Sequence, residues 1–203
     1  MDYKAETRKA YDTYPAEFEE RFSKNFVKFG KREVDAFAQA LETGRVLDLG
    51  SGPGVYASYL AGKGFDVFCA DISEKMVQEC RRKGLTAQVM DAEHLSFPPE
   101  SFDGVLAIAV LLHLPRDKVP AVVENIARIL KPRGLLLATF REGGKAGFEE
   151  SDVFKGVKRF FTYFSEAEVR ELFANRFECL RFTRELTVDG KTGFINFLFR
   201  RRN

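Results

Sequence analysis

Three aspartates stand at matched intervals along this chain. Asp48 is followed closely by Gly50-Ser51-Gly52-Pro53-Gly54, Asp71 comes 21 residues after Gly50, and Asp91 comes 20 residues after Asp71. A carboxylate at a strand end can accept both hydroxyls of an adenosine ribose, and a second acid one strand further on can meet an adenine amino group. A glycine-rich turn removes the side chains that would keep a ligand off the backbone, and it leaves N–H groups open at the following helix. Asp48, pointing back under the turn, would hold the loop or receive a cationic group. His113 is the one plausible general base after the fourth strand, since His94 sits in the loop after Asp91; a neutral imidazole accepts a proton near pH 7.

The glycine spacing separates two cofactor classes. A dinucleotide turn reads GxGxxG and rests its pyrophosphate on the helix N-terminus. Here the third glycine arrives one residue early and an acid precedes the loop, where it would repel a diphosphate. That disfavours NAD. An adenosine carrying an amino acid, whose ammonium group meets carbonyls and acids near the loop, suits the site better.

Alternating elements must position these residues. Phe18, Phe22, Phe26 and Phe29 put one apolar face on a helical segment running from Tyr3 to about Phe29, and Val34, Phe37, Ala38 and Leu41 mark a second helix ended by Gly44. Val46 to Leu49, Phe65 to Ala70, Leu85 to Met90, Phe102 to Val110 and Leu135 to Phe140 read as strands. Between them, helices carry Ala57 and Leu60, then Met76, Val77 and Cys80, then Val119 to Leu130. Residues Arg141 to Phe164 have no clear period and read as an excursion; Ser165 and Glu168 form a capping box. Phe177 to Val188 and Thr192 to Arg200 read as strands joined by a turn at Asp189-Gly190-Lys191. The expected fold is α/β, a doubly wound and mostly parallel seven-stranded sheet with N-terminal cover helices and a C-terminal antiparallel hairpin.

The ordered set of motifs resembles the class I S-adenosylmethionine-dependent methyltransferases, and within them the compact group acting mostly on small molecules. The likeness runs from Tyr11 to about Leu137. It rests on Val46 to Gly54, Asp71, Asp91-Ala92-Glu93-His94-Leu95, Phe102-Asp103, Leu112-His113-Leu114-Pro115 and Leu130-Lys131-Pro132-Arg133-Gly134-Leu135. The resemblance implies a Rossmann-like methyltransferase fold over a single domain, 1–203: cover helices in 1–44, a cofactor-binding half in 45–140, and a substrate-side excursion and hairpin in 141–203. It implies S-adenosylmethionine as cofactor, with S-adenosylhomocysteine as product. Asp48, Gly50, Ser51, Gly52 and Gly54 would surround the methionine part, Asp71 would bind the ribose, Ile72 and Met76 would pack the adenine, and Asp91 with Ala92 would meet its amino group. Ile108 would approach the sulfonium, and Tyr11 with Phe18 would close over the cofactor. Met76 fits a core position as well, Phe18 belongs to a stripe that reads as core, and His113 before Leu114 and Pro115 fits a structural loop as well as a base.

The acceptor is less legible. Ile108-Ala109-Val110-Leu111 stands where an Asn-Pro-Pro-Tyr type motif would serve nucleobase amines, and no Pro-Cys nucleophile for pyrimidine carbon-5 is present. The leading expectation is transfer to an oxygen or nitrogen of a small molecule, with His113 as candidate base and Arg141, Arg159 and Tyr163 as candidate contacts to an acidic or aromatic acceptor. Methylation of RNA or protein, or noncatalytic cofactor binding, are the alternatives.

Composition agrees with an ordinary globular chain: 203 residues, 45% hydrophobic and 31% charged, with net charge +2. That charge is too small to argue for nucleic acid, and Arg200-Arg201-Arg202 reads as a solvated tail. Cys69, Cys80 and Cys179 lack CxxC spacing and read as buried small hydrophobes, so no metal site is expected. No apolar run approaches the ~18 to 20 residues of a membrane span, and the N-terminus lacks a leader pattern, so the expected location is cytoplasmic.

Overall fold

The computed structural model describes residues 2–150, 155–186 and 193–203. β1 (Arg45–Leu49), β2 (Asp66–Asp71), β3 (Thr86–Val89), β4 (Phe102–Ile108) and β5 (Leu130–Glu142) run parallel to one another. β6 (Gly147–Glu150) and β7 (Lys158–Phe161) form a separate antiparallel pair. β8 (Phe177–Leu186) and β9 (Gly193–Arg201) extend the main sheet antiparallel, giving seven strands in the order β3-β2-β1-β4-β5-β9-β8. The strand order reverses at β1, between β2 and β4, which is where an open α/β sheet leaves a crevice beyond its carboxyl ends.

Side-chain alternation along each strand sorts the core into two layers. Leu47, Val105, Ala107, Leu136, Ala138, Phe197 and Phe199 face α6 (Val119–Ile129) and α7 (Glu166–Phe173). Val46, Val67, Leu106, Leu135, Leu137 and Leu198 face α3 (Lys31–Leu41), α4 (Val55–Ala61) and α5 (Glu74–Arg82). Gly104 marks the closest approach of α3 to the sheet: a Cβ there would stand 2.5 Å from Phe37 Cζ and 2.8 Å from Leu41 Cδ2. Gly104→Val is therefore expected to cost about 2 kcal/mol by overpacking, read as a lower urea midpoint at unchanged slope.

The single helix expected from Tyr3 to Phe29 is two. α1 (Tyr3–Thr13) ends at Tyr14, and Pro15, which has no N–H to continue the ladder, opens α2 (Pro15–Asn25). A π-helical turn over Phe26–Gly30 then joins α2 to α3. The altered winding turns the end of the phenylalanine stripe outward: Phe18 is fully buried, whereas Phe29 is 36% and neighbouring Val27 76% exposed.

The excursion after β5 is also ordered where described. Glu149 of β6 faces Arg159 of β7 in the ladder, and Arg141 bridges to Tyr163; such pairings join positions far apart in sequence and leave no local period. The expected turn at Asp189-Gly190-Lys191 lies outside the described residues. The C-terminal arginines are not a solvated tail: Arg201 donates to the Leu130 carbonyl, and Arg202 Nε donates to the carbonyls of Ala174 (3.1 Å) and Phe177 (3.2 Å). The Ala174 carbonyl stands at the C-cap of α7, where a helix leaves carbonyls unpaired and favours a cation. Cys69 and Cys80 are buried, but Cys179 is partly exposed because β8 is an edge strand. Among the described residues no helix is long and apolar enough to cross a membrane.

Candidate functional site

Beyond β1 the chain turns through Gly50, Gly52 and Gly54, all at positive φ (67°, 52° and 78°). At Gly50 a Cβ would also lie 2.6 Å from the Val110 side chain, so only glycine suits this turn. The N–H groups of Gly50 and Ser51 donate to the Ala70 carbonyl at 2.7 and 3.2 Å, and that of Gly54 donates to the Ser51 carbonyl at 3.1 Å. Gly52 N–H donates to Asp71 Oδ2 at 2.8 Å, and Pro53 has no N–H. The loop's own donors are thus taken up internally, and none is left for a pyrophosphate. Behind it Asp48 is buried with Oδ2 unpartnered. Burial first, then the Asp71 charge, pushes the Asp48 carboxyl up to about 7. A loop with no free N–H and buried acids beside it suits a cationic amino-acid end and does not suit a diphosphate.

Along the crevice, Asp71 Oδ1 accepts from Ser73 N–H at 2.9 Å, and burial pushes this carboxyl up to about 6. Asp91 closes the far end: its Oδ2 lies 2.6 Å from Lys4 Nζ, which also meets Glu93 at 2.8 Å, while the Tyr3 hydroxyl donates to Glu93. α1 is so latched across the cleft, presenting Tyr3, Thr7 and Tyr11, four residues apart, on one face. The cleft has a volume of about 110 Å³.

A second cavity, about 380 Å³, shares Tyr11, Phe22, Tyr56, Ile108, Ala109 and His113 with the first. Ala109 holds positive φ (56°), a strained conformation for a residue with a Cβ. Thr139 donates to Asn196 Oδ1 (2.8 Å) and Asn196 to Thr183 Oγ1 (3.3 Å), making a polar ladder across β5, β9 and β8 whose Thr139 and Asn196 line this cavity. At the junction, His113 Nδ1 is 2.7 Å from the Phe160 carbonyl. A carbonyl can only accept, so Nδ1 carries the proton and Nε2 presents its lone pair to the Tyr11 hydroxyl at 3.0 Å. Arg159 Nη1 donates to the same hydroxyl oxygen at 3.4 Å. Burial, then the charge of Arg159, pushes the imidazole down to about 3.

Comparison with known proteins agrees with this geometry. Residues 47–138 match a family described as a methyltransferase domain. The chain is 31% identical over 139 residues to the biotin biosynthesis bifunctional protein BioHC of Cellvibrio japonicus, a stretch of 64% of this chain and 27% of that protein. It is 31% identical over 154 residues to aklanonic acid methyltransferase DauC of a Streptomyces species, covering 70% of this chain and 69% of the relative. It belongs to the class I S-adenosylmethionine-dependent methyltransferases. The solved DhpI–SAH complex shares the fold, with TM-score 0.78 at 21% identity over 98% of this chain and 97% of that one. The chain spans 27%, 58% and 42% of the length of the first three curated relatives it matches.

The cleft brings together most of the residues singled out from sequence. Tyr11, Gly50, Ser51, Gly52, Asp71, Ile72, Asp91, Ala92, Ile108 and His113 line it, and Arg141 and Arg159 line the second cavity. Five do not line either. Phe18 and Met76 are fully buried together with Ala10 and Val157, because α1 and α2 seal that flank of α5. Phe22, one turn beyond Phe18, faces the cleft in its place, and Met90 lies where Met76 was expected. Asp48 and Gly54 stand behind the loop, Gly54 capping α4. Tyr163 is buried against Arg141, its hydroxyl donating to Glu149, so it supports that arginine without facing the cavity. Tyr3, Lys4, Thr7, Phe22, Tyr56 and Arg21 were not singled out from sequence. For the first and third, the four-residue spacing with Tyr11 was a usable signal; Arg21 carried none.

Proposed function

We propose that the protein transfers a methyl group from S-adenosylmethionine to an oxygen or nitrogen of a small-molecule acceptor, residues 1–203 acting as one methyltransferase domain. The observation that carries this is the meeting of two cavities at Tyr11, Ile108, Ala109 and His113, one walled by the glycine loop and strand-end acids, the other by polar side chains and arginines. When bound, S-adenosylmethionine supplies a methyl group made electrophilic by its sulfonium. On this reading Asp71 holds the ribose, and Asp91 takes the adenine amino group on lone pairs that Lys4 and the Glu93 N–H leave open. Ile72, Ala92 and Met90 pack the adenine. The glycine loop and Asp48 favour the cationic methionine end, and Ile108 with Tyr11 and Phe22 excludes water from the transfer point.

His113 acts on this reading as a positioning residue. Its one lone pair is engaged by Tyr11 and its basicity is low, so it aims the tyrosine across the junction while positioning and desolvation lower the barrier. Arginines inside a cavity, and a relative named for aklanonic acid, favour a small acceptor over a polymer. Calorimetric titration tests the cofactor: S-adenosylhomocysteine is expected to bind and NAD is not. Binding of NAD without binding of S-adenosylhomocysteine would sink the reading.

A further inference from the structure

Among the described residues the second cavity is lined by four glutamates and three arginines, and none of the glutamates stands on the wall it shares with the first cavity. Glu149 is tied to Arg141 at 2.9 Å and to the Tyr163 hydroxyl. Glu185 meets Arg32 at 2.9 Å; Glu33 meets Arg32 at 2.9 Å and Arg181 at 3.4 Å. Glu150 is exposed at the rim, as the last residue of β6. His113 is neutral, with its lone pair on Tyr11. A phenol, alcohol or ammonium acceptor would have to shed a proton at the junction, where among the described residues the shared wall carries no carboxylate and the His113 lone pair is engaged by Tyr11.

Arg159 offers the opposite chemistry. Its guanidinium lies 4.9 Å from the centre of the Phe161 ring and 5.3 Å from that of Phe18, and it touches the Tyr11 hydroxyl on the wall the two cavities share. Among the described residues no carboxylate lies within ion-pair distance of it. Arg21 lines the same cavity, and burial followed by the charge of Arg159 lowers its pKa. Guanidinium groups lining one cavity suit an anionic ligand, to which they donate charge-assisted hydrogen bonds.

We propose that the acceptor is an acid whose ionised oxygen is itself the atom methylated, held at the junction of the two cavities by Arg159 with support from Arg21. This rests on the methyl-transfer reading above. The acceptor oxygen forms the new O–C bond with its own electron pair as the methyl carbon's bond to sulfur breaks. Sulfur keeps that pair, the two charges cancel, and no proton moves. The product is an ester, and no general base is required. Carboxylates and phosphonates share this chemistry.

The test is a calorimetric titration of the protein saturated with S-adenosylhomocysteine, using benzoate, phenylphosphonate and neutral benzamide as probes. At least one anion is expected to bind tenfold or more tightly than benzamide, and which one does so distinguishes carboxylate from phosphonate. Arg159→Gln is expected to remove that preference, and Arg159→Lys to restore part of it, both leaving S-adenosylhomocysteine affinity within twofold. No preference for either anion, including no binding at all, overturns the proposal, as does a preference that survives Arg159→Gln. In turnover with 3-hydroxybenzoate the expected product is the methyl ester; 3-methoxybenzoate would overturn it. Failure of S-adenosylhomocysteine itself to bind removes the methyl-transfer reading instead.

Discussion

Asp71→Ala is expected to weaken S-adenosylhomocysteine binding by a hundredfold or more in calorimetry. The carboxylate accepts from Gly52 N–H at 2.8 Å and from Ser73 N–H at 2.9 Å, so it closes the glycine loop onto the start of α5. On the proposed reading it also receives the ribose hydroxyls. Hydrogen bonds to a charged group contribute ~1.5 to 3 kcal/mol each, and losing two at the lower value costs about 3 kcal/mol, more than a factor of 100 in affinity. Asp71→Asn separates the two roles. Its amide oxygen still accepts one of the two backbone N–H groups while its NH2 faces the other, so the thermal midpoint should fall less than in Asp71→Ala while affinity still falls tenfold or more. Affinity within twofold of wild type in a folded Asp71→Ala protein would take the ribose role away from this residue.

The second large effect concerns Asp48. Its carboxyl is pushed up to about 7 in the fold by burial and by Asp71, against ~3.9 for an unfolded aspartate. Between those values the unfolded chain has lost the proton and the folded chain keeps it, so stability falls as pH rises through this window. The full cost, on the order of 4 kcal/mol, is present above pH 7 and absent below the unfolded value. Asp48→Asn keeps the shape without the charge. Urea unfolding should therefore find the variant close to wild type at pH 4 and more stable by a few kcal/mol at pH 8. Asp71, pushed up to about 6, leaves a smaller slope of the same sign in both proteins. Parallel pH profiles for the two would mean that Asp48 carries no such burden.

Much of the cofactor half was readable because its signals are local. Glycines at 50, 52 and 54 follow an apolar strand, and acids end β2 and lie just beyond β3. Each is a short-range consequence of backbone conformation or alternation. The doubly wound, mostly parallel sheet followed, since parallel strands joined by helices have few ways to pack. The misplaced residues fail for one shared reason. Phe18 and Phe22 are the same residue type one turn apart, and Met76 follows the acid that ends β2 whereas Met90 precedes the acid just beyond β3. Which of each pair faces the cleft depends on how α1, α2 and α5 rotate against one another, and Pro15 and the π turn set that rotation.

Sequence alone determined the cradle, its acids and therefore the class of cofactor, because a strand, a turn and a helix cap are each complete within a few residues. Only the tertiary structure decided that Tyr11 meets the lone pair of His113, 102 positions away, and that Arg159 reaches the same tyrosine across 148 positions. Contacts between groups so far apart along the chain leave no trace in local spacing, and they set the charge and proton inventory at the point where the two cavities meet.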